Sequence, residues 1–430
     1  MDVYVLSRYR YAVMIALLLP VLPAQARADA QQDWPASFNG ALRAVDFRDD
    51  LKAAGIDVTY NYTAEYFNVV SGGVSQGSSF NGLLEQKVYL DLEKLGGWRG
   101  AQLHAHAFGI HGKGAGVAHL GDVTSVSNIE ALETVRLFEL WVEQSLFDGR
   151  LKVRVGQLAA DSFFVSETAA QFFNGTFGWP SSTAANMVQG GPAYPLASPG
   201  VRVELKPADD ITLLAAIYNG SPADPNAPDA QRDNRHGLKV RFSDPPLVMG
   251  EAQFGYVAGL PGMFKLGGWY EFSDVSDKLT GAQVDGNSGV YAVIDQGLWK
   301  DPVSAQAINF LARVSAAPER QNEVSFYSDA GLVFTGFVPG RPNDTIGLAA
   351  GYSRVSPRVR ERQRLDGDPV ISDFEAVLEL NYSAEIMPGW TVAPDFHYIW
   401  HPGGGAENPE KPGTAIDNTV VVGVRTSFTY

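Results

Sequence analysis

Polar and charged side chains recur at every second position in several stretches of this chain, and any chemistry it performs must be built from them. His104 and His106 are separated by one residue, so on an extended strand both imidazoles share a face and two metal ligands stand side by side. The spacing specifies no third ligand, and a hydrated strand face accounts for the pair without a metal, so none is expected. Further same-face sets are Asp57, Asn61 and Glu65; Glu85 and Lys87; Glu139 and Glu143; Lys152 and Arg154; Arg202 and Glu204; Glu375 and Glu379; Asp395 and His397; and, standing singly, Arg425. Arginine carries a planar fork of donors and a carboxylate carries paired acceptors. A lining of mixed sign can therefore grip vicinal hydroxyls without the strong field of a ring of one sign. Each charge taken alone is most simply a solvated residue. The expected substrate-channel residues are accordingly a cluster: Glu65, His106, Glu139, Arg154, Arg202, Asp395 and Arg425, joined by Trp179.

Catalysis finds little support in the same residues. Carboxylates are too plentiful to single out an acid and base pair, and no phosphate-cradling Gly-x-x-x-x-Gly-Lys-Ser/Thr motif occurs. Cysteine is absent from all 430 residues, which removes thiolate nucleophiles, thiolate metal sites and disulfides together. Neither a catalytic residue nor a cofactor is expected. Lys plus Arg number 33 against 48 Asp plus Glu, and the net charge of −15 would repel nucleic acid. Hydrophobic residues make up 45% and charged residues 19%, so the chain can bury a large apolar area or present it to lipid.

The elements that must position these side chains are strands. From Ile56 onward apolar and polar residues alternate with a period of two: Glu85, Lys87, Tyr89, Asp91 and Glu93 oppose Leu84, Val88, Leu90 and Leu92. Strands of soluble sandwiches average about five or six residues, whereas these run near the roughly 9 to 11 that a tilted strand needs to cross a bilayer. A first count gives about 17 strands, while single-chain bacterial barrels have even numbers. Short turns at 96–99, 148–149, 207–210, 259–262, 300–305, 339–344 and 387–389 define eight hairpins. The segment Gly237 to Phe242 breaks this alternation and belongs to an external loop over about 219–246. The predicted fold is all-β: a 16-stranded antiparallel transmembrane outer-membrane barrel. Its strands cover about 56–70, 80–93, 100–111, 135–147, 150–157, 199–207, 211–219, 247–258, 262–273, 288–299, 306–316, 324–338, 345–355, 372–385, 389–401 and 418–430. The last of these places Val420, Val422, Val424, Thr426, Phe428 and Tyr430 on the lipid side, and both barrel ends fall on the periplasmic side.

Ahead of the barrel, residues 1–28 carry Arg8 and Arg10, the apolar run Ala12 to Leu22, and the small-residue patterns Ala24-Gln25-Ala26 and Ala26-Arg27-Ala28. They read as a cleaved secretory signal; the run of about 11 residues is too short to span a membrane as a helix. Residues 29–55 are expected as a periplasmic segment with a short helix over Asp46 to Gly55, and 56–430 as the transmembrane barrel domain. Between the fifth and sixth strands, about 40 residues from Leu158 to Pro199 exceed any ordinary connection. As the third external loop, folded inward, they would narrow a lumen that 16 strands otherwise leave as an aqueous channel. Phe163, Phe164, Phe172, Phe173, Phe177 and Tyr194 read as the loop's own core. Trp179, before Pro180 and among Gly178, Ser181 and Ser182, is placed to stack on a sugar ring.

Several separated phrases carry a family resemblance: Gly55-Ile56 followed by Tyr60, Glu65, Asn68 and Gly72-Gly73; Val155 to Phe164; Ala215 to Pro222; Leu266 to Asp274; Gly289 to Trp299; and Val392 to Gly405 leading into Gly423 to Arg425. In order and spacing they resemble the carbohydrate-selective porins of the OprB type, over nearly the whole chain after the signal. The resemblance implies a 16-stranded barrel for passive, selective uptake of sugars such as glucose, with inward loops and a lining of Arg, acidic and aromatic side chains. Expected partners are sugars as permeating solutes, outer-membrane lipid and lipopolysaccharide. Large porins often form trimers, so a homotrimer is also expected. A general diffusion porin, an outer-membrane barrel enzyme and a soluble periplasmic binding protein stand as alternatives. A gated importer is disfavoured because such barrels use about 22 strands and a plug.

Overall fold

A computed structural model describes residues 45–430. The expected signal at 1–28, and the part of the following segment up to residue 44, lie outside the described residues. Helix α1 (Val45–Ala53) stops at Gly55, whose φ of +96° suits a residue without a side chain. Sixteen strands follow: β1 (Ile56–Gly73), β2 (Gly77–Asp91), β3 (Ala101–Lys113), β4 (Thr134–Leu146), β5 (Leu151–Leu158), β6 (Ser198–Ala208), β7 (Ile211–Asn219), β8 (Pro246–Ala258), β9 (Leu260–Glu271), β10 (Asn287–Lys300), β11 (Ala307–Ala316), β12 (Val324–Thr335), β13 (Thr345–Val355), β14 (Phe374–Met387), β15 (Trp390–Trp400) and β16 (Asp417–Thr429). Each pairs antiparallel with its neighbours in sequence, and β1 pairs with β16, closing the barrel without an edge. Gly237 to Phe242 forms no strand. The segment lies beside β4 and β5 instead: Leu137 N–H donates to the His236 carbonyl at 3.0 Å and Gln157 Nε2 to the Gly237 carbonyl at 3.0 Å.

The period of two becomes two environments. On β16, Val422, Val424 and Phe428 are 40%, 40% and 42% exposed on the outer face, while Thr419 and Val421 on the opposite face have no exposure. Outward Val135, Val155, Leu266 and Val290 continue this apolar belt on other strands. No helix among the described residues is long and apolar enough to cross a membrane. Short turns join one end; in the turn over 147–150, Phe147, Asp148 and Gly149 all have positive φ, +52°, +54° and +84°.

The other end carries long connections, and residues 159–197 between β5 and β6 turn into the barrel. Phe164 stacks on Tyr291 of β10 at 4.2 Å, while Phe172 and Phe177 pack together at 5.1 Å and against Val377, Ile399 and Val421 of the wall. The loop aromatics are thus shared between the loop and the barrel wall rather than forming a core of the loop alone.

Candidate solute pathway

Inward-facing carboxylates hold the loop. Glu139 accepts the Ala159 N–H at 3.0 Å, Glu251 the Phe164 N–H at 2.9 Å, and Asp295 both the Ser166 hydroxyl at 2.6 Å and the Thr168 N–H at 3.2 Å. Glu379 accepts from Phe173 at 2.7 Å and Asn174 at 2.9 Å, and Glu271 from Val188 at 3.1 Å. Cations take the carbonyls: Arg313, paired with Asp329 at 3.0 Å, donates to Phe164 and Thr176 carbonyls, and Lys265 donates to Val165 at 3.0 Å. An irregular segment inside a barrel has N–H and C=O groups that no ladder satisfies, and charged partners supply strong, short bonds for them. The connection between β3 and β4 is held similarly, with Glu375 accepting from Val123 and Thr124 at 2.8 and 2.7 Å.

Two cavities flank loop residues 165–171 and share Ala170. One, of about 610 Å³, lies between Asn61, Glu85 and Arg425 of the wall and Asp161, Trp179 and Tyr194 of the loop. The other, of about 670 Å³, is lined by the amides of Gln171, Gln253, Gln296 and Asn309 with Lys265 and Asp295. Each carries charges of both signs, Glu85, Glu130 and Asp161 beside Arg425 in the first and Glu167 and Asp295 beside Lys265 in the second, so each offers donors and acceptors to a neutral solute.

The expected channel residues fall into two groups. Register sets Glu65 opposite Arg425 across the β1–β16 seam, where Arg425 Nε donates to Glu65 at 2.6 Å, a second nitrogen to Asn128 at 2.6 Å, and the guanidinium lies 3.8 Å over the Phe173 ring. Trp179 is half-buried, not open to solvent as expected; its Nε1 donates to the Gly190 carbonyl at 3.1 Å, which leaves the indole fixed on the cavity wall. Glu65 and Asp395 sit on inward faces as the alternation required. Their side chains nonetheless have no exposed surface: Arg425 and Ser127 cover the first, and His397 pairs with the second. They support the lining from behind. The second group is on β3 to β6: Glu139 faces His106 across the ladder, Arg154 pairs with Glu143 at 2.8 Å and lies 3.6 Å over Trp141, and Arg202 stands beside Arg154 with Glu143 at 3.8 Å.

Sequence reasoning passed over Glu251, Asp295, Arg313 and Asp329. Their signal was present in the alternation of β8, β10, β11 and β12, but nothing local says that a loop 87 to 149 residues away will use them. It also passed over Gly73-Val74-Ser75-Gln76-Gly77, which has nucleophile-elbow spacing with Ser75 Oγ 2.9 Å from His119 Nδ1. Here that spacing connects two antiparallel strands rather than a strand and a helix. Among the described residues no carboxylate forms an ion pair with His119.

A closed barrel of 16 strands, apolar outside and narrowed inside by an anchored loop with polar cavities, is an outer-membrane porin. The chain belongs to the carbohydrate-selective porin, OprB family, whose model matches residues 75–430. It is similar to Porin B of Pseudomonas aeruginosa, at 25% identity over 88% of each chain, and to the putative porin QuiX of Acinetobacter baylyi, at 22% identity over 84% of this chain and 88% of the relative. Among solved structures, Pseudomonas putida OprB at high pH matches the fold with a TM-score of 0.77 and 22% identity, covering 89% of this chain and 96% of that one. The protein is a sugar-selective porin of the Gram-negative outer membrane, a channel in class.

Proposed function

We propose that the solute is a glucose-like neutral sugar, bound weakly on its way through the cavity between Arg425, Glu85, Asn61 and Trp179. The observation that carries this reading is the composition of that 610 Å³ cavity: a fixed indole together with hydrogen-bonding groups of both signs. A sugar has an apolar ring face and a rim of hydroxyls, so the indole takes the face and the polar groups the rim. Binding must be weak, because a site that holds its solute too long blocks conduction. Transport is passive and leaves the sugar unchanged. Lipid and lipopolysaccharide cover the outward apolar belt, and three copies assemble; a measured mass of one chain in mild detergent would contradict the last point. The substrate test is current block by glucose in single channels of wild type and Trp179→Ala. Loss of sugar affinity by about tenfold in the variant is expected, the loss of a stacking contact being worth about 1 to 1.5 kcal/mol. Equal affinity removes Trp179 from the site.

A further inference from the structure

His104 and His106 neither anchor a loop nor line the sugar cavity. They alternate on the inward face of β3, and His106 stands opposite Glu139 in the β3–β4 register. One ligand atom from each of the three residues lies within 4.8 Å of the other two, and His104 Nε2 is 3.8 Å from Glu139 Oε2. Both histidines are buried, at 2% and 6% exposure; His104 Nδ1 has no hydrogen-bond partner, and His106 Nε2 stands 3.3 Å from Glu85 Oε1. Orphaned buried nitrogens are rare, because leaving one unpaired is costly and such groups normally meet a partner, water or an ion.

Packing sets the rings in advance. His104 lies between Tyr89 and Trp141, with centroids at 4.2 and 4.6 Å, and His106 meets Phe108 and Phe138 edge-on at 4.6 and 5.4 Å. Ligands already held in place lose little freedom when a metal arrives. The geometry points to a site for a zinc-class divalent cation formed by His104, His106 and Glu139.

The donor set decides the class. Two imidazoles and one carboxylate suit zinc and its borderline neighbours, whereas magnesium and calcium want oxygen alone. Nearby positive charge is already matched: Lys87 lies 3.3 Å from Glu85, and Arg154 is paired with Glu143 at 2.8 Å. Glu85, which lines the sugar cavity, lies 3.3 Å from His106 Nε2. Glu139 can serve two partners, since Oε1 holds the Ala159 N–H at 3.0 Å while Oε2 turns toward His104. Filling the site therefore leaves the root of the inward loop attached.

The test is calorimetric titration of zinc chloride into tag-free, folded protein in detergent at near-neutral pH, with magnesium and calcium as controls. One zinc per chain is expected, with no competition from magnesium or calcium. His104→Gln, His106→Gln and Glu139→Gln should each weaken zinc by about tenfold or more, as loss of even supporting contacts around a metal does, and His401→Gln should bind as wild type does. Because a buried-histidine variant can fail to assemble, zinc-edge X-ray absorption on the wild type supplies an independent reading, with imidazole nitrogens expected among the nearest ligands. Absence of a stoichiometric site, a ligand shell without imidazole, or unchanged affinity in folded His104 and His106 variants would each overturn the site.

Discussion

Acidic residues on the barrel's inner face serve the loop before they serve any solute. Glu139, Glu251, Glu271, Asp295 and Glu379 each accept a backbone N–H from residues 159–197, and these contacts, more than contact with sugar, explain why so many carboxylates face a channel for neutral solutes. Glu379 is the sharpest case, because both its oxygens are engaged by Phe173 and Asn174. Glu379→Gln converts one acceptor oxygen into a donor facing another donor. The expected result is a loss of about 1–3 kcal/mol and noisier single-channel current at unchanged barrel content, read by thermal unfolding and by bilayer recording. Trp179→Ala should do the reverse, weakening sugar block with little change in current noise. The alternation of the sequence told which way Glu65, Glu139 and Asp395 point. It could not tell that Ser127 would claim Glu65 or Ala159 claim Glu139, because those partners come from segments with no periodicity of their own.

At the scale of elements, strands were legible and loop contacts were not. Each strand spans within three residues of its expected range, since alternation and turn length are local properties of the chain. One motif phrase also acquires a cause: Gly423 faces Phe67 in the β1–β16 register, and a Cβ there would stand 2.3 Å from the Phe67 ring. Gly423→Ala should cost about 1–3 kcal/mol by overpacking and lower the yield of folded barrel on a heat-modifiability gel. On the loop side, helix α2 (Pro357–Asp366) begins after Ser356, whose hydroxyl accepts the Arg358 N–H at 3.3 Å. Arg358 then reaches Asp277 at 2.7 Å, and Arg320 reaches the same carboxylate at 2.9 Å, so one acid joins three external loops. The bond from Arg358, aided by Arg320, holds the Asp277 carboxyl well below the usual carboxylate range. Its stabilising effect is full above the ordinary carboxylate value of about 4 and disappears as pH falls through the lowered folded value. Hydrogen exchange in residues 272–286 and 357–366 should therefore stay slow down to about pH 4 and quicken below it, while Asp277→Asn should quicken it at every pH. Slow exchange in the variant would contradict the role given to Asp277.

The whole molecule joins a rigid frame to a selective interior. Closure between β1 and β16 satisfies every edge, which a structure in lipid requires, and valines and phenylalanines stand exposed on the outward face. Family and fold were legible from separated phrases and from turn counting. The cavities were not, because their shape depends on where residues 159–197 come to rest among wall side chains more than 80 positions away. The central claim is that this loop-narrowed interior distinguishes sugars. It is tested most directly by the ionic conductance of the purified protein in a planar bilayer, titrated with glucose, a disaccharide and a charged solute of similar size. Stable open channels with saturable, glucose-dependent block and weaker response to the charged solute are the predicted result. Open channels that respond to none of the three would contradict the claim and leave a pore without preference.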